Sequence, residues 1–412
     1  MKDRAQWIIN ECCLLATMTE EPGRTTRRFL TPPVHDVHAH LRQHMIALGM
    51  DVRVDAVGNM RGLWTATNGG SRRLILGSHI DTVPDAGAFD GVLGVVMALE
   101  WVRLAREDSL ALPIEVIAFS DEEGVRFEVP FLGSRAAAGI FDQSLLALED
   151  KNGIRMDDSI RFFGLDPLTI SECVVDPSAR GFVEIHIEQG PVLESEQLHL
   201  AVVFAIAGQT RVNLRFTGQS NHAGTTPMHS RHDALAAAAE WISTVESSVA
   251  QAAASDTPGL VATVGKIATQ PNAGNVIPGV VDASLDVRHP SNHIRKSWTT
   301  QLVNDARVAA QKRGVVMESA ETLNEAAVEM DPYLSLDLKL AVEAEGIPVK
   351  TIVSGAGHDA MVMARRLPSA MLFLRSPGGI SHHPAETVLV EDVEAALRVG
   401  RRFLAGLAKQ SQ

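Results

Sequence analysis

The sequence predicts an α/β protein of two domains, one inserted into the other. Over the first half of the chain, buried-strand patterns alternate with helical spacing, which argues for a mainly parallel, layered sheet. Near Gly208 the style changes to cleanly alternating strands and long helices in the order strand–helix–strand, strand–helix–strand, the ferredoxin-like order. From about residue 330 the first style returns. At 412 residues the chain also exceeds what one ordinary core supports.

Residues 5–17 and 35–49 carry helical spacing, with Val37, Leu41, Met45 and Leu48 on one stripe of the second. Strands are expected at 51–56, 61–66 and 73–78, a helix at 92–106 and a strand at 113–120. The stretch 132–180 mixes Gly, Pro and charge, and its apolar pieces at 144–148 and 162–165 are too short to assign. Residues 182–187 alternate as a strand. In the second style come a strand at 210–217, an alanine-rich helix at 231–253, strands at 260–268 and 279–288, a helix at 293–313 and a strand at 315–319. The last part reads helix, strand (349–353), helix, strand (369–375) and a closing helix at 391–407. The expected boundaries are 1–208 and 326–412 for one domain in two segments, and 209–325 for the insert.

Composition narrows the function. With 45% apolar and 21% charged residues the chain is globular. Its 37 basic against 50 acidic residues argue against nucleic acid, and any anionic substrate then needs a local cluster of Arg or amide donors. The three cysteines, Cys12, Cys13 and Cys173, have neither disulfide-framework nor zinc-finger spacing. No signal-peptide core and no 18-residue apolar run occur, so a soluble, cytoplasmic protein that avoids membranes is expected.

Chemistry gathers at predicted strand ends. In GSHIDTVPDAGAFDGVLG (residues 77–94), His79 and Asp81 stand two apart and face one side, and Asp90 precedes Gly91 at the far end of the loop. One His and two Asp at a strand end make a metal-site hypothesis, while loop Asp residues also serve as turn formers. The second strand end carries Asp121-Glu122-Glu123, which repel one another unless a cation or protons neutralise them; a solvated acidic turn is the alternative. SGAGHDAM (354–361) is a Gly-rich loop opening a helix, a possible anion site without the Lys of a P-loop. GISHHPAE (379–386) puts two His after an apolar strand, and GQSNHAGTTPM (218–228) carries His222 in the insert.

With these motifs in hand, the chain resembles the zinc aminoacylase and carboxypeptidase clan, and within it the hydantoinase/carbamoylase amidases. Nine motifs carry the resemblance in order: GSHIDTV, FDG, EEGVRF, HIEQGP, NHAGTTPM, NVIPG, DVRH, SGAGHDAM and GISHHPAE. It implies a mixed-sheet, metallo-aminopeptidase-like catalytic domain with an inserted ferredoxin-like lid and dimerisation domain. It further implies two divalent ions per subunit, zinc with manganese as the alternative. His79 and His186 would hold one, Glu123 and His382 the other, and Asp90 both. Glu122 becomes the general base and Asp81 the carboxylate that orients His79. Asp121 fits no ligand role and is expected to face solvent; His383 has no assigned part.

For substrate, the resemblance implies Gln189, His222, Asn275, Arg288 and the backbone of Gly357. Arg288 can meet a carboxylate with a two-pronged bond, the two amides suit a ureido group, and His222 would donate to a developing oxyanion. His222 would come from the partner subunit, which makes the protein a homodimer built through the insert. The activity implied is cleavage of the ureido C–N bond of N-carbamoyl-L-amino acids with release of CO₂ and ammonia. Allantoate amidohydrolase is the alternative, then a dipeptidase or aminoacylase of the clan. A non-catalytic metal-binding protein on the same scaffold is the reading from another class; Glu122, a base that metal retention does not require, stands against it.

Overall fold

The computed structural model describes residues 1–66 and 72–410. Two compact units emerge: residues 1–204, 330–352 and 356–412 form the first, and 205–329 with 353–355 the second.

The first unit opens with helices α1 (Lys2–Ala16) and α2 (Pro32–Ala47). Prolines in the first turn of α2 follow extended Thr31, where a missing N–H costs nothing. The stripe Val37, Leu41 and Met45 is buried, with Leu48 just beyond the helix end. Then come β1 (Asp51–Val54), β2 (Met60–Trp64), β3 (Leu74–His79), α3 (Val92–Glu107) and β4 (Ile114–Phe119). The stretch left unassigned in sequence holds α4 (Leu132–Ala138), α5 (Met156–Phe162) and two 3₁₀ turns. These wrap a small core of their own around Phe29, Phe127, Leu132, Met156 and Ile160. β5 (Gly181–Ile187) and the short α6 (Val192–Ser195) lead to β6 (Leu200–Ile206), a strand with no counterpart in the sequence reading. It reads LAVVFAI, an apolar run without alternation that could equally belong to a linker.

In the second unit β7 (Gly208–Thr217), β8 (Asn221–His222), α7 (Ala234–Ala254), β9 (Val261–Gln270), β10 (Val276–Ile277), β11 (Val280–His289), α8 (Asn292–Gln311), β12 (Val316–Glu325) and β13 (Val328–Glu329) follow one another. Its four-stranded antiparallel sheet has the order β12-β7-β11-β9. One face is covered by α7 and α8 around Leu214, Phe216, Trp241, Leu285 and Leu302. β12 runs six residues past the predicted end at 319, because it stays paired with β7 as far as Gln209. β8 and β10 form a separate two-residue pair.

The chain closes with α9 (Pro332–Ala344), β14 (Thr351–Ser354), α10 (Asp359–Met363), β15 (Ser369–Leu374) and α11 (Val390–Lys409). The main sheet runs β1-β2-β4-β3-β5-β15-β6. Its centre, β4-β3-β5-β15, is parallel, and both flanks are antiparallel, so the sheet is mixed. Those central strands are buried along their whole length, as parallel strands covered on both faces must be. The parallel centre brings the carboxyl ends of four strands to one rim, where open α/β sheets carry their sites. Among the described residues no helix is long and apolar enough to cross a membrane.

Candidate active site

The histidines and the acidic turn of the site stand at carboxyl ends of the parallel centre. His79 is the last residue of β3, Asp121 to Glu123 follow β4, His186 is next to last on β5, and Ser381 and His382 follow β15. The loop after β3 returns Asp90 to the same place. There Gly91 starts α3 at φ 68°, and a Cβ on it would lie 2.5 Å from the His79 ring. Only glycine allows both the turn and the imidazole.

Asp90 is the centre of the arrangement. Its Oδ1 lies 3.1 Å from His186 Nε2 and 3.5 Å from His79 Nε2, while its Oδ2 lies 3.2 Å from His382 Nε2. His382 Nε2 is also 3.4 Å from Glu123 Oε1. One carboxylate thus faces two histidines with one oxygen and the third with the other. Two groups able to hold an ion share it: His79, Asp90 and His186, and Asp90, Glu123 and His382. The other ring nitrogens are engaged by backbone carbonyls, His79 Nδ1 by Asp81 O at 3.0 Å and His186 Nδ1 by Ile187 O at 2.9 Å. Those bonds place a proton on Nδ1 and turn the Nε2 atoms toward Asp90.

Charge tells the same story. Burial alone would raise the pKa of Asp90, but hydrogen bonds from His186, His382 and His79 hold it well below the usual carboxylate range. Asp90 and Glu123 in turn push His382 up to about 10. Imidazoles and carboxylates here offset one another's burial, and divalent cations supply the same balance at a metal centre. The donor set fits such ions: imidazole nitrogens and carboxylate oxygens suit zinc and manganese.

Asp81 does more than the sequence suggests. Its Oδ1 is 3.3 Å from His79 Nδ1, and its two oxygens accept the backbone N–H groups of Glu122 at 2.9 Å and Glu123 at 3.0 Å. It therefore fixes the acidic turn as well as the imidazole. Glu122 is buried; burial first, then the neighbouring charge of Glu123, push its pKa well above the usual range, as a proton-shuttling carboxylate requires. Asp121 is a correction to the expectation of a solvated residue: it is 1% exposed and held high by burial, then by Asp81 and Glu123.

Gln189, at φ 57°, donates from Nε2 to Asp90 Oδ2 at 2.9 Å and to Ser381 Oγ at 3.2 Å. Its Oε1 is buried without a protein partner, an acceptor ready for an N–H group. A left-handed backbone at Gln189 and at His382 (φ 55°) is the strain that functional sites store. At Gly357 a Cβ would come 2.7 Å from Phe131 Cζ, so close packing there demands glycine. Sequence reasoning missed two supports. Ser381 Oγ donates to Asp90 Oδ2 at 3.0 Å, and Glu386 Oε1 accepts the N–H groups of Phe89 and Asp90 at 2.9 and 3.0 Å. Both lie in the GISHHPAE stretch, but nothing in their spacing marks them.

The remaining three residues belong to the second unit. β8 and β10 set His222 opposite Val276, beside Asn275, whose carbonyl accepts the Ala223 N–H at 2.9 Å. Both side chains are exposed. Arg288, near the end of β11, donates to Asp286 at 3.0 and 3.3 Å.

A centre of imidazoles and carboxylates with a buried carboxyl base beside it is the construction of a metal-dependent hydrolase. Residues 75–406 match the model of peptidase family M20/M25/M40, and the chain belongs to that family. It is similar to the allantoate deiminase of Arabidopsis thaliana, 40% identical over 96% of this chain and 80% of that protein. It is also similar to the N-carbamoyl-L-amino-acid amidohydrolase of Paenarthrobacter aurescens, 36% identical over 98% of each. Among solved structures, an amidase of the hydantoinase/carbamoylase family from Burkholderia multivorans superposes with a TM-score of 0.91 at 30% identity, covering 98% of both chains.

Proposed function

We propose that this chain is a two-metal amidohydrolase that cleaves the ureido C–N bond of a ureido acid. The observation that carries the reading is Asp90, whose two oxygens face two separate sets of donors. An N-carbamoyl-L-amino acid and water would give the amino acid, CO₂ and ammonia. Allantoate, which also sets a carboxylate beside ureido nitrogens, is the second reading, favoured by the 40% identity to the Arabidopsis deiminase.

His79, His186 and Asp90 would hold one ion, and Asp90, Glu123 and His382 the other. Bound there, divalent zinc, or manganese in its place, supplies Lewis acidity toward the ureido carbonyl and the attacking water. Glu122 takes the proton from that water and delivers it to the leaving nitrogen, and Asp81 keeps Glu122 in position through its backbone N–H. Gln189 Oε1 accepts a ureido N–H, and the backbone of Gly357 is a further contact for the substrate. Arg288 meets the substrate carboxylate, Asn275 the ureido group, and His222 the developing oxyanion.

We further propose that residues 209–325 are a ferredoxin-like lid and dimerisation domain that lends His222 to a partner subunit. Its strand–helix–strand repeat, the order β12-β7-β11-β9 and the exposed Val261 and Ile267 on β9 support this. The test of the function is kcat/KM over a panel of N-carbamoyl-L-amino acids, allantoate and dipeptides, with zinc and with manganese. Turnover of a ureido acid at least ~100-fold above any dipeptide is expected; a preference for dipeptides would overturn the reading.

A further inference from the structure

A second cluster of metal-ligating side chains lies on helices that contribute nothing to the catalytic centre. Glu11 of α1 and His40 and His44 of α2 offer ligand atoms within 4.8 Å of one another. His40 and His44 are one helical turn apart, so both rings leave α2 on the same face. His44 Nε2 is 3.1 Å from Glu11 Oε1 and 3.2 Å from His40 Nε2, and His40 Nε2 contacts the same Glu11 oxygen. Three polar atoms therefore converge on one point.

Glu11 Oε1 can accept an N–H from each imidazole, but the two Nε2 atoms, 3.2 Å apart, then turn like protons toward the same point. A cation removes the conflict, because all three then act as donors of lone pairs. Two of the three spacings, 3.1 and 3.2 Å, lie near the roughly 3.3–3.4 Å that separates ligands about 2.0–2.1 Å from a tetrahedral ion, while His40 and Glu11 stand closer and must part slightly to admit one. With side-chain exposures of 22% for His40, 27% for His44 and 9% for Glu11, an ion can enter from solvent and keep a water as fourth ligand.

We propose that Glu11, His40 and His44 form a separate structural site for a zinc-class divalent ion, clasping α1 to α2. Two imidazoles and one carboxylate select zinc, nickel or copper over magnesium and calcium. The site is independent of the catalytic assignment.

The test counts zinc in full-length protein after loading and gel filtration. His40→Gln/His44→Gln is expected to carry one zinc per chain fewer than the parent while its hydrolytic activity stays within ~2-fold. In an Asp90→Ala background, where the catalytic ions are removed, one equivalent should persist and vanish with the same pair of changes. Glu11→Gln, a gentler change that keeps a hydrogen-bonding oxygen, should weaken that equivalent at least ~10-fold in a chelator competition, since even groups behind the ligands matter that much. Unchanged zinc content and affinity in these variants would overturn the proposal. So would failure of the Asp90→Ala protein to retain any zinc.

Discussion

The candidate catalytic cluster of the first unit and the candidate substrate residues of the second are built on different plans. His79, Asp81, Asp90, Glu122 and His186 are all less than a tenth exposed and are held at strand ends or by bonds among their side chains and backbone, while His382 closes the cluster half exposed. His222 stands exposed on a two-residue strand pair with Asn275 exposed just before it, and His222 Nδ1 accepts the N–H of Gly224 nearby. The first group is pre-organised, so its chemistry is set before anything binds. The second rests on short local contacts, His222 on its strand pair and the Gly224 N–H, and Arg288 on Asp286.

The sharpest way to break this contrast is to remove the centre of the buried plan. Asp90→Ala should lose both catalytic ions and nearly all activity, read by metal analysis beside an assay. Retention of a full metal complement would show that Asp90 does not join the two donor sets. Glu122→Gln comes next. It keeps the shape but cannot take up the proton, so turnover should fall at least ~100-fold with the metals still bound. Near-normal turnover would transfer the role to buried Asp121.

The exposed plan is tested by mixing subunits. His222→Ala and Glu122→Gln, each almost inactive, should regain up to about a quarter of the wild-type rate after exchange if His222 serves the partner's site. No recovery despite demonstrated exchange would place its action within its own chain. The smallest effect belongs to packing. Gly357→Ala brings a Cβ 2.7 Å from Phe131 Cζ and should cost about 1–3 kcal/mol of unfolding free energy. Adding Phe131→Leu should return part of that loss in a denaturant titration, and strictly additive losses would deny the contact.

By itself, the sequence determined the kinds of chemistry and the strand ends that carry them. Apolar runs such as Leu74–Leu76 and Ile114–Phe119 mark buried strands, and the polar residues that follow must then sit on the sheet rim. The alternation of β7 and β11 and the helical spacing of α7 and α8 were legible for the same reason, since period reports burial. Strand β6 was not, because an apolar run without period does not declare its element.

Only the tertiary structure decided how the segments meet. The order β4-β3-β5-β15 puts four chain-distant loops around one carboxylate, and it rests on long-range pairing that no local pattern encodes. That convergence splits the contacts of Asp90 between its two oxygens, turns Asp81 toward the N–H groups of Glu122 and Glu123, and aims Gln189 at Asp90. It also buries Asp121 and brings Ser381 and Glu386 into the site. A residue's type and its place at a strand end follow from neighbours in sequence. Which atoms it faces follows from packing between elements far apart in the chain.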